Sequence, residues 1–439
     1  MAVTCQAHDT VTEERGPKGR TTIWQSIAET YATRMLLIAI GLATTVVISR
    51  TLGPSGRGLF AVATAIAAIG VQFGNFGLHA SNTYYVAKDR ELLPVLIGNT
   101  LIVGLGIGGM AALLAWILAA MWPKLAPLHG PLLALALASI PFGLAYLLLQ
   151  NLLLGIDQVR TYNGIELANK AIGLALVTLV ILSRRLSAEL MFAATLVALV
   201  LSFLWVLWSL RGVFRHPVLF SITVFRQHVR LGIKAYLIAF FGFLVLRIDL
   251  VMVKYMLGAQ AAGYYSISET MAENILTLPV VVGTILFPKL SGMAHNGEKL
   301  RLTGKAALVT AAFMVPVMII ASLLAKPAVQ LVFGTSFLPA VTPFIWLMPG
   351  SFLLGVEIVI VQYLNSLGFP KIIAYCWLLV TALNIAINFW AIPAYGITGA
   401  AIVSTVSYSL IFVLVLVAIR NGTRSETTAV PHKVPQYTI

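Results

Sequence analysis

Arg247 and Asp249 stand two residues apart, after the apolar run Phe241 to Leu246. A charge near the centre of a spanning helix costs about 2.5–3.5 kcal/mol on insertion scales, so such groups face a cavity, a partner or the interface. A guanidinium keeps its proton and presents a planar fork that can grip a phosphate through two bonds. Arg247 is therefore a candidate to receive a phosphate-type anion. Residues at i and i+2 do not share a helix face, so Asp249 would turn to another helix if Arg247 faces a cavity. The competing reading puts both near the outer interface, where the Arg stem snorkels.

Glu269 and Glu273 are four residues apart, on one face of a helix. Paired carboxyls of this kind can share a proton or a cation. Glu357 is a lone carboxyl in an apolar stretch, where an unpaired acid is expected to be protonated. Glu269, Glu273 and Glu357 are the candidates for coupling an ion; the competing reading makes Glu269 interfacial and leaves Glu273 satisfied by hydrogen bonds within the bundle. Arg34 opens the first apolar segment with Glu29 and is a further candidate contact for an anionic cargo, although a cation so placed also serves as an interfacial anchor. Glu166 and Lys170, at i and i+4, are expected to neutralise each other. Asn75, Asn99, Gln150 and Asn151 suit hydrogen bonds between helices.

The remaining chemistry is meagre. No HExxH, P-loop, GxSxG or Gly-rich nucleotide turn occurs. Cys5 and Cys376 have no metal-ligand spacing and read as two unpaired thiols. No cofactor or metal is expected, and the net charge of +14 lacks a groove-reading motif that would point to nucleic acid.

The elements that position these groups follow from composition. The chain is 59% hydrophobic and 10% charged over 439 residues, against about 25% charged in a soluble domain. Most of its apolar surface must face lipid, and the expected fold is an all-α polytopic membrane protein. A crossing needs about 20 mostly apolar residues. Segments of that size are expected near 30–49, 58–79, 95–121, 131–154, 163–183, 188–210, 231–256, 264–287, 303–325, 340–366, 371–391 and 397–419. With the N-terminus inside, 21 of the 29 Lys and Arg fall on the inner side and seven, Arg50 and Arg57 among them, on the outer side. This bias places both termini in the cytoplasm.

A repeat divides the chain. Leu52-Gly53 and Gly58 reappear as Leu257-Gly258 and Gly263, each pair bounding a tight outer hairpin, and Leu154-Gly155 with Tyr162 reappears as Leu367-Gly368 with Tyr375. The expected organisation is a disordered cytoplasmic tail 1–22, a six-helix bundle 23–210, a basic cytoplasmic linker 211–230, a second six-helix bundle 231–420 and a tail 421–439. Arg50 and Tyr255, at the outer ends of the first and seventh spans, become the expected gate pair.

The punctuation between spans resembles a known family. Arg50-Thr51-Leu52-Gly53-Pro54-Ser55-Gly56-Arg57-Gly58 resembles its turn after the first helix. Arg247-Ile248-Asp249, Leu257-Gly258 and Ala262-Gly263-Tyr264-Tyr265-Ser266 look like its seventh-to-eighth helix segment, and Phe287-Pro288-Lys289-Leu290-Ser291 like the end of its eighth. Asn384, Asn388, Ile392-Pro393, Tyr395-Gly396-Ile397 and Gly399-Ala400-Ala401 resemble its eleventh-to-twelfth junction. The family is the polysaccharide flippases of the multidrug/oligosaccharidyl-lipid/polysaccharide (MOP) exporter superfamily. The resemblance, over about residues 25–420, implies two six-helix bundles forming a V around a central cavity. It implies movement of an undecaprenyl-pyrophosphate-linked oligosaccharide from the inner to the outer leaflet of the inner membrane. The implied partners are that lipid-linked cargo, the bilayer and, as a candidate, the polysaccharide polymerase machinery. A drug/cation antiporter of the same superfamily is the alternative. The two extra helices usual in lipid II flippases have no room here.

Overall fold

Backbone in lipid must satisfy its own hydrogen bonds, which leaves helices or closed barrels. The computed structural model describes residues 23–212 and 220–428, and among the described residues the regular structure is helical throughout. The expected tail 1–22 and the end of the expected second tail lie outside the described residues.

The helices are α1 (Ile23–Gly74), α2 (Leu78–Lys88), α3 (Leu93–Leu101), α4 (Gly108–Met121), α5 (Gly130–Gly155), α6 (Val159–Leu182), α7 (Ala188–Ser209), α8 (Ile222–Val245), α9 (Ile248–Leu257), α10 (Ala259–Ser291), α11 (Asn296–Val332), α12 (Val341–Ser366) and α13 (Lys371–Thr428). A π-helical stretch, Ile102–Ile107, joins α3 to α4 in one crossing. Among the described residues, ten stretches are long and apolar enough to span a bilayer. Two of them exceed one crossing: Thr33–Gly74 has 42 residues and Lys371–Asn421 has 51. Each is divided by a glycine with torsions that other residues rarely adopt, Gly53 (φ 64, ψ −174) and Gly396 (φ 64, ψ −148). Dividing both gives twelve spans. The first six and last six are called the two halves below. The face where the first span begins is the N-terminal face, and the face where Gly53 turns the chain is the far face.

Small residues let the first half pack closely. Gly70 and Gly74 of the second span, and Gly104 and Gly108 of the third, all approach α5, at Ile140, Leu144, Ala145 and Pro141. A Cβ at Gly104 would stand 2.6 Å from the Ala145 Cα. Helix association in lipid depends on such close contact rather than on the hydrophobic effect. In the second echo, the left-handed residue of the first copy is Asp157 (φ 64) rather than Gly155, while the second copy uses Gly368 (φ 97).

The seventh span is broken and bridges the halves. α8 begins at Ile222, so the end of the stretch expected as linker is helix. Its first residues dock on the first half. Asn99 Nδ2 donates to the Ser221 carbonyl (3.1 Å), and the Ser221 N–H donates back to Asn99 Oδ1 (2.9 Å). His228 is buried and stacks on Tyr85 at 4.0 Å, and burial holds its imidazole down at about 4. Gly232 and Gly77 meet backbone to backbone, and the Tyr236 hydroxyl donates to the Phe73 carbonyl (2.8 Å). The other end of α8 packs on α13 of the second half, where Thr381 Oγ1 donates to the Phe241 carbonyl (3.3 Å). Helix α13 runs on to Thr428, past the expected end of the second bundle at 420.

Candidate anion-binding cavity

The seventh span breaks at Arg247. This residue leaves helical geometry (φ −129, ψ −25) and becomes the N-cap of α9. The break sets its guanidinium on the wall of a cavity of about 480 Å³ between the halves. Thr44 and Thr45 of the first span, Arg57 and Thr64 of the second, Lys170 of α6, and Glu269 and Thr270 of α10 also line it. Three cationic side chains thus surround one space.

Arg57 is the residue that sequence reasoning misplaced. It was counted among outer loop cations, but the helix resumes directly after Gly53, and Arg57 falls in the first turns of the second span. Its side chain is buried, and its Nε has no hydrogen-bond partner. The signal was present in Gly53-Pro54, since Pro favours the first helical position and marks a helix start there. Lys170 was also misread. The expected Glu166–Lys170 pair does not form. Glu166 instead meets Arg34 (3.4 Å), while Lys170 is exposed on the cavity wall with no ion pair among the described residues.

The structure separates the other candidates. Arg34 is exposed near the N-terminal face and is engaged with Glu166, away from the cavity lining. Asp249 is buried and is not among the residues that line the cavity. It accepts from the Tyr265 hydroxyl (2.6 Å) and the Ser404 hydroxyl (2.7 Å), which ties α9 to α10 and α13. Glu273 holds Arg247 from behind in a two-bond fork of 2.7 and 3.0 Å. Glu269 reaches the cavity, but its Oε1 is buried without a partner. Glu357 lies apart, buried in α12, with Oε1 unpartnered. Arg247, Asp249, Glu269 and Glu273 therefore gather around one break, whereas Arg34 and Glu357 stand outside it.

The far face is shut over this cavity. Gly58 packs against the Ala259 carbonyl, and Gly263 packs against the Pro54 carbonyl. Arg50 donates to the carbonyls of Leu331 and Val332 at the C-terminus of α11. Arg50 therefore grips the ninth span rather than the expected partner Tyr255, which is exposed. A cation at a helix C-terminus is favoured by the helix dipole and the free carbonyls.

Residues 47–342 match the family described as polysaccharide biosynthesis protein. The chain belongs to that family. It is 26% identical over 204 residues to an uncharacterized membrane protein of Methanocaldococcus jannaschii, a match that spans 45% of this chain and 40% of that relative's length. Solved structures share the fold. An inward-facing multidrug resistance MATE family transporter of the MOP superfamily superposes with a TM-score of 0.72 at 14% identity, covering 92% of this chain and 100% of that one. Lipid II flippase MurJ, in an inward closed conformation, gives 0.70 at 17% identity, covering 91% and 88%. The Vibrio cholerae MATE transporter VcmN gives 0.64 at 16% identity, covering 92% and 96%. The protein is thus a multi-pass membrane protein of the polysaccharide biosynthesis family, and it shares its fold with these transporters and this flippase.

Proposed function

We propose that the protein flips an undecaprenyl-pyrophosphate-linked oligosaccharide from the inner to the outer leaflet of the inner membrane, for surface polysaccharide assembly. The observation that carries this reading is the convergence of Arg57, Arg247 and Lys170 on one cavity between the halves. The buried Arg57 guanidinium and the half-buried Arg247, which shares its fork with Glu273, suit a doubly charged phosphate. They disfavour a cationic drug, which counts against the antiporter alternative. A volume of about 480 Å³ suits the pyrophosphate and its first sugar, with the polyprenyl chain left in lipid. In this reading the protein binds and moves its cargo without covalent chemistry. The two halves act as the bundles 23–210 and 231–420, and the cavity opens to one face at a time.

The N-terminal face is assigned to the cytoplasm, with both termini there. Setting aside Arg57 and Lys170 as cavity residues leaves 20 Lys and Arg on the N-terminal side and six on the far side, so the bias that motivates this orientation survives. A polymerase that receives the cargo would dock on the far face.

The test is complementation. A strain lacking the gene should accumulate the lipid-linked oligosaccharide and lose surface polysaccharide, and the wild-type chain should restore it. Arg247→Ala should not, at equal membrane abundance. A deletion strain with normal surface polysaccharide and no accumulated precursor would refute the assignment.

A further inference from the structure

Helix α8 presents two opposite rows of residues over its first turns. His228, Gly232 and Tyr236, spaced by four residues, are buried against the first half, on Tyr85, Gly77 and the Phe73 carbonyl. Arg226, Arg230 and Lys234 each stand two residues earlier. Two residues turn a helix by about 200°, so these three form a row that points away from the docked one. All three are exposed, and none forms an ion pair among the described residues. The chain has no Asp or Glu between Glu189 and Asp249, so no neighbour in sequence offsets their charge.

A fourth cation joins them. Val224 of α8 packs on the apolar cluster that holds Val206 and Leu210 at the end of the sixth span, which brings Arg211 beside the start of α8. Arg211 lies over the ring of the exposed Trp208, 4.1 Å from its centroid. Trp at the end of a span sits at the headgroup level of a bilayer. The apolar stretch of the seventh span begins at Gly232, so the row from Arg226 to Lys234 straddles the same level. It rises about 12 Å, and side chains of this length bury their stems while the charged ends stay among headgroups. Phe220 and Ile222, both exposed, add apolar surface beside it.

We infer that Arg211, Arg226, Arg230 and Lys234 form a binding surface for anionic phospholipid headgroups in the leaflet at the N-terminal face. Cations at that level attract a phosphodiester of net negative charge, and each strengthens binding about five-fold. A zwitterionic headgroup offers the same phosphate but brings an ammonium, which the row repels. The anion bound in the cavity is a different ligand, because none of these four residues lines the space between the halves. With lipid on one row and the first half on the other, α8 is held from both sides. Anionic lipid therefore favours the docked position of α8. The surface does not depend on what the cavity carries.

The experiment is native mass spectrometry of the full chain released from nanodiscs of equimolar phosphatidylglycerol and phosphatidylcholine. Wild type is expected to retain phosphatidylglycerol at least about five-fold over phosphatidylcholine. The triple variant Arg226→Gln, Arg230→Gln, Lys234→Gln should fall to parity. Arg230→Gln alone should lose several-fold, and Arg230→Lys, which keeps the charge, should retain the enrichment. Lys371→Gln removes an exposed cation at the start of α13 on the same face and should leave it unchanged. Hydrogen–deuterium exchange over 222–231 should slow in wild type, but not in the triple variant, when phosphatidylglycerol replaces phosphatidylcholine. Parity in wild type, or enrichment undiminished in the triple variant, would overturn the proposal. So would equal losses from Arg230→Gln and Lys371→Gln, which would reduce the effect to the general positive charge of that face. Exchange in wild type that ignores lipid composition would overturn it as well, by removing α8 as the place of binding.

Discussion

Gly58 and Gly263 occupy equivalent places in the two halves, 205 positions apart, and each packs on backbone from the opposite half. A Cβ on Gly58 would overlap the Ala259 carbonyl, and one on Gly263 would overlap the Pro54 carbonyl. The acceptors Pro54 and Ala259 are themselves 205 apart. The contact is therefore two-fold in character and leaves no room for any side chain. It closes the far face by shape, and Arg50 on the carbonyls of Leu331 and Val332 adds a polar tie beside it.

Gly58→Ala or Gly263→Ala should force this crossing apart, at a cost of about 1–3 kcal/mol to the closed state. A cysteine replacing Thr64 on the cavity wall, in a chain freed of Cys5 and Cys376, should then react faster with a membrane-impermeant maleimide added from the far side. Unchanged labelling would show that the crossing does not hold the mouth shut.

Asn99→Ala should loosen the start of α8. It removes both hydrogen bonds to the Ser221 backbone, each worth about 0.5–1.5 kcal/mol. Hydrogen–deuterium exchange should rise selectively over 222–231, while the second half of α8, held by α13, stays protected. Exchange rising equally along the whole helix would argue that α8 moves as one rigid rod.

His228 makes the same docking sensitive to pH. Its imidazole is held at about 4 when buried against Tyr85, against 6.5 for the free group. Between these values the undocked state binds more protons, so docking is fully stable above about 6.5 and weakens as pH falls toward 4. Exchange over 222–231 should increase across that window in wild type, and much less in His228→Phe, which keeps a stacking ring without a titrating group. Equal pH dependence in both proteins would remove His228 as the cause.

The architecture was legible because lipid imposes it. Twelve apolar stretches separated by polar breaks leave few alternatives, and a glycine marked each turn, before Pro54 at Gly53, before Ala259 at Gly258 and before Ile397 at Gly396. The break at Arg247 could not be read from sequence. The run from Phe241 to Leu257 is long enough for one helix, and only tertiary packing reveals that α8 stops at Val245. Arg57 was misplaced because charge counting assigns a cation near a turn to the loop, whereas a helix that restarts immediately buries it. Glu166 was misassigned because local spacing favours Lys170, and the competing partner Arg34 lies 132 residues away.

Arg247→Lys should separate fork recognition from charge. The ammonium keeps the positive charge but loses the planar two-bond grip that Glu273 now receives. Surface polysaccharide should recover only in part relative to Arg247→Ala at equal membrane abundance. Full recovery with Lys would indicate that charge suffices there.

Translocation by the reconstituted chain tests the flippase assignment most directly. Proteoliposomes carrying a fluorescent undecaprenyl-pyrophosphate oligosaccharide would be probed with a membrane-impermeant quencher, so that cargo crossing between leaflets is read as a change in protected fluorescence. Wild type is expected to move the lipid well above the protein-free rate, with Arg57→Ala and Arg247→Ala each slowing it severely and the double variant falling to background. Translocation by the double variant at the wild-type rate, or none by correctly folded wild type, would contradict a cavity built to carry a pyrophosphate.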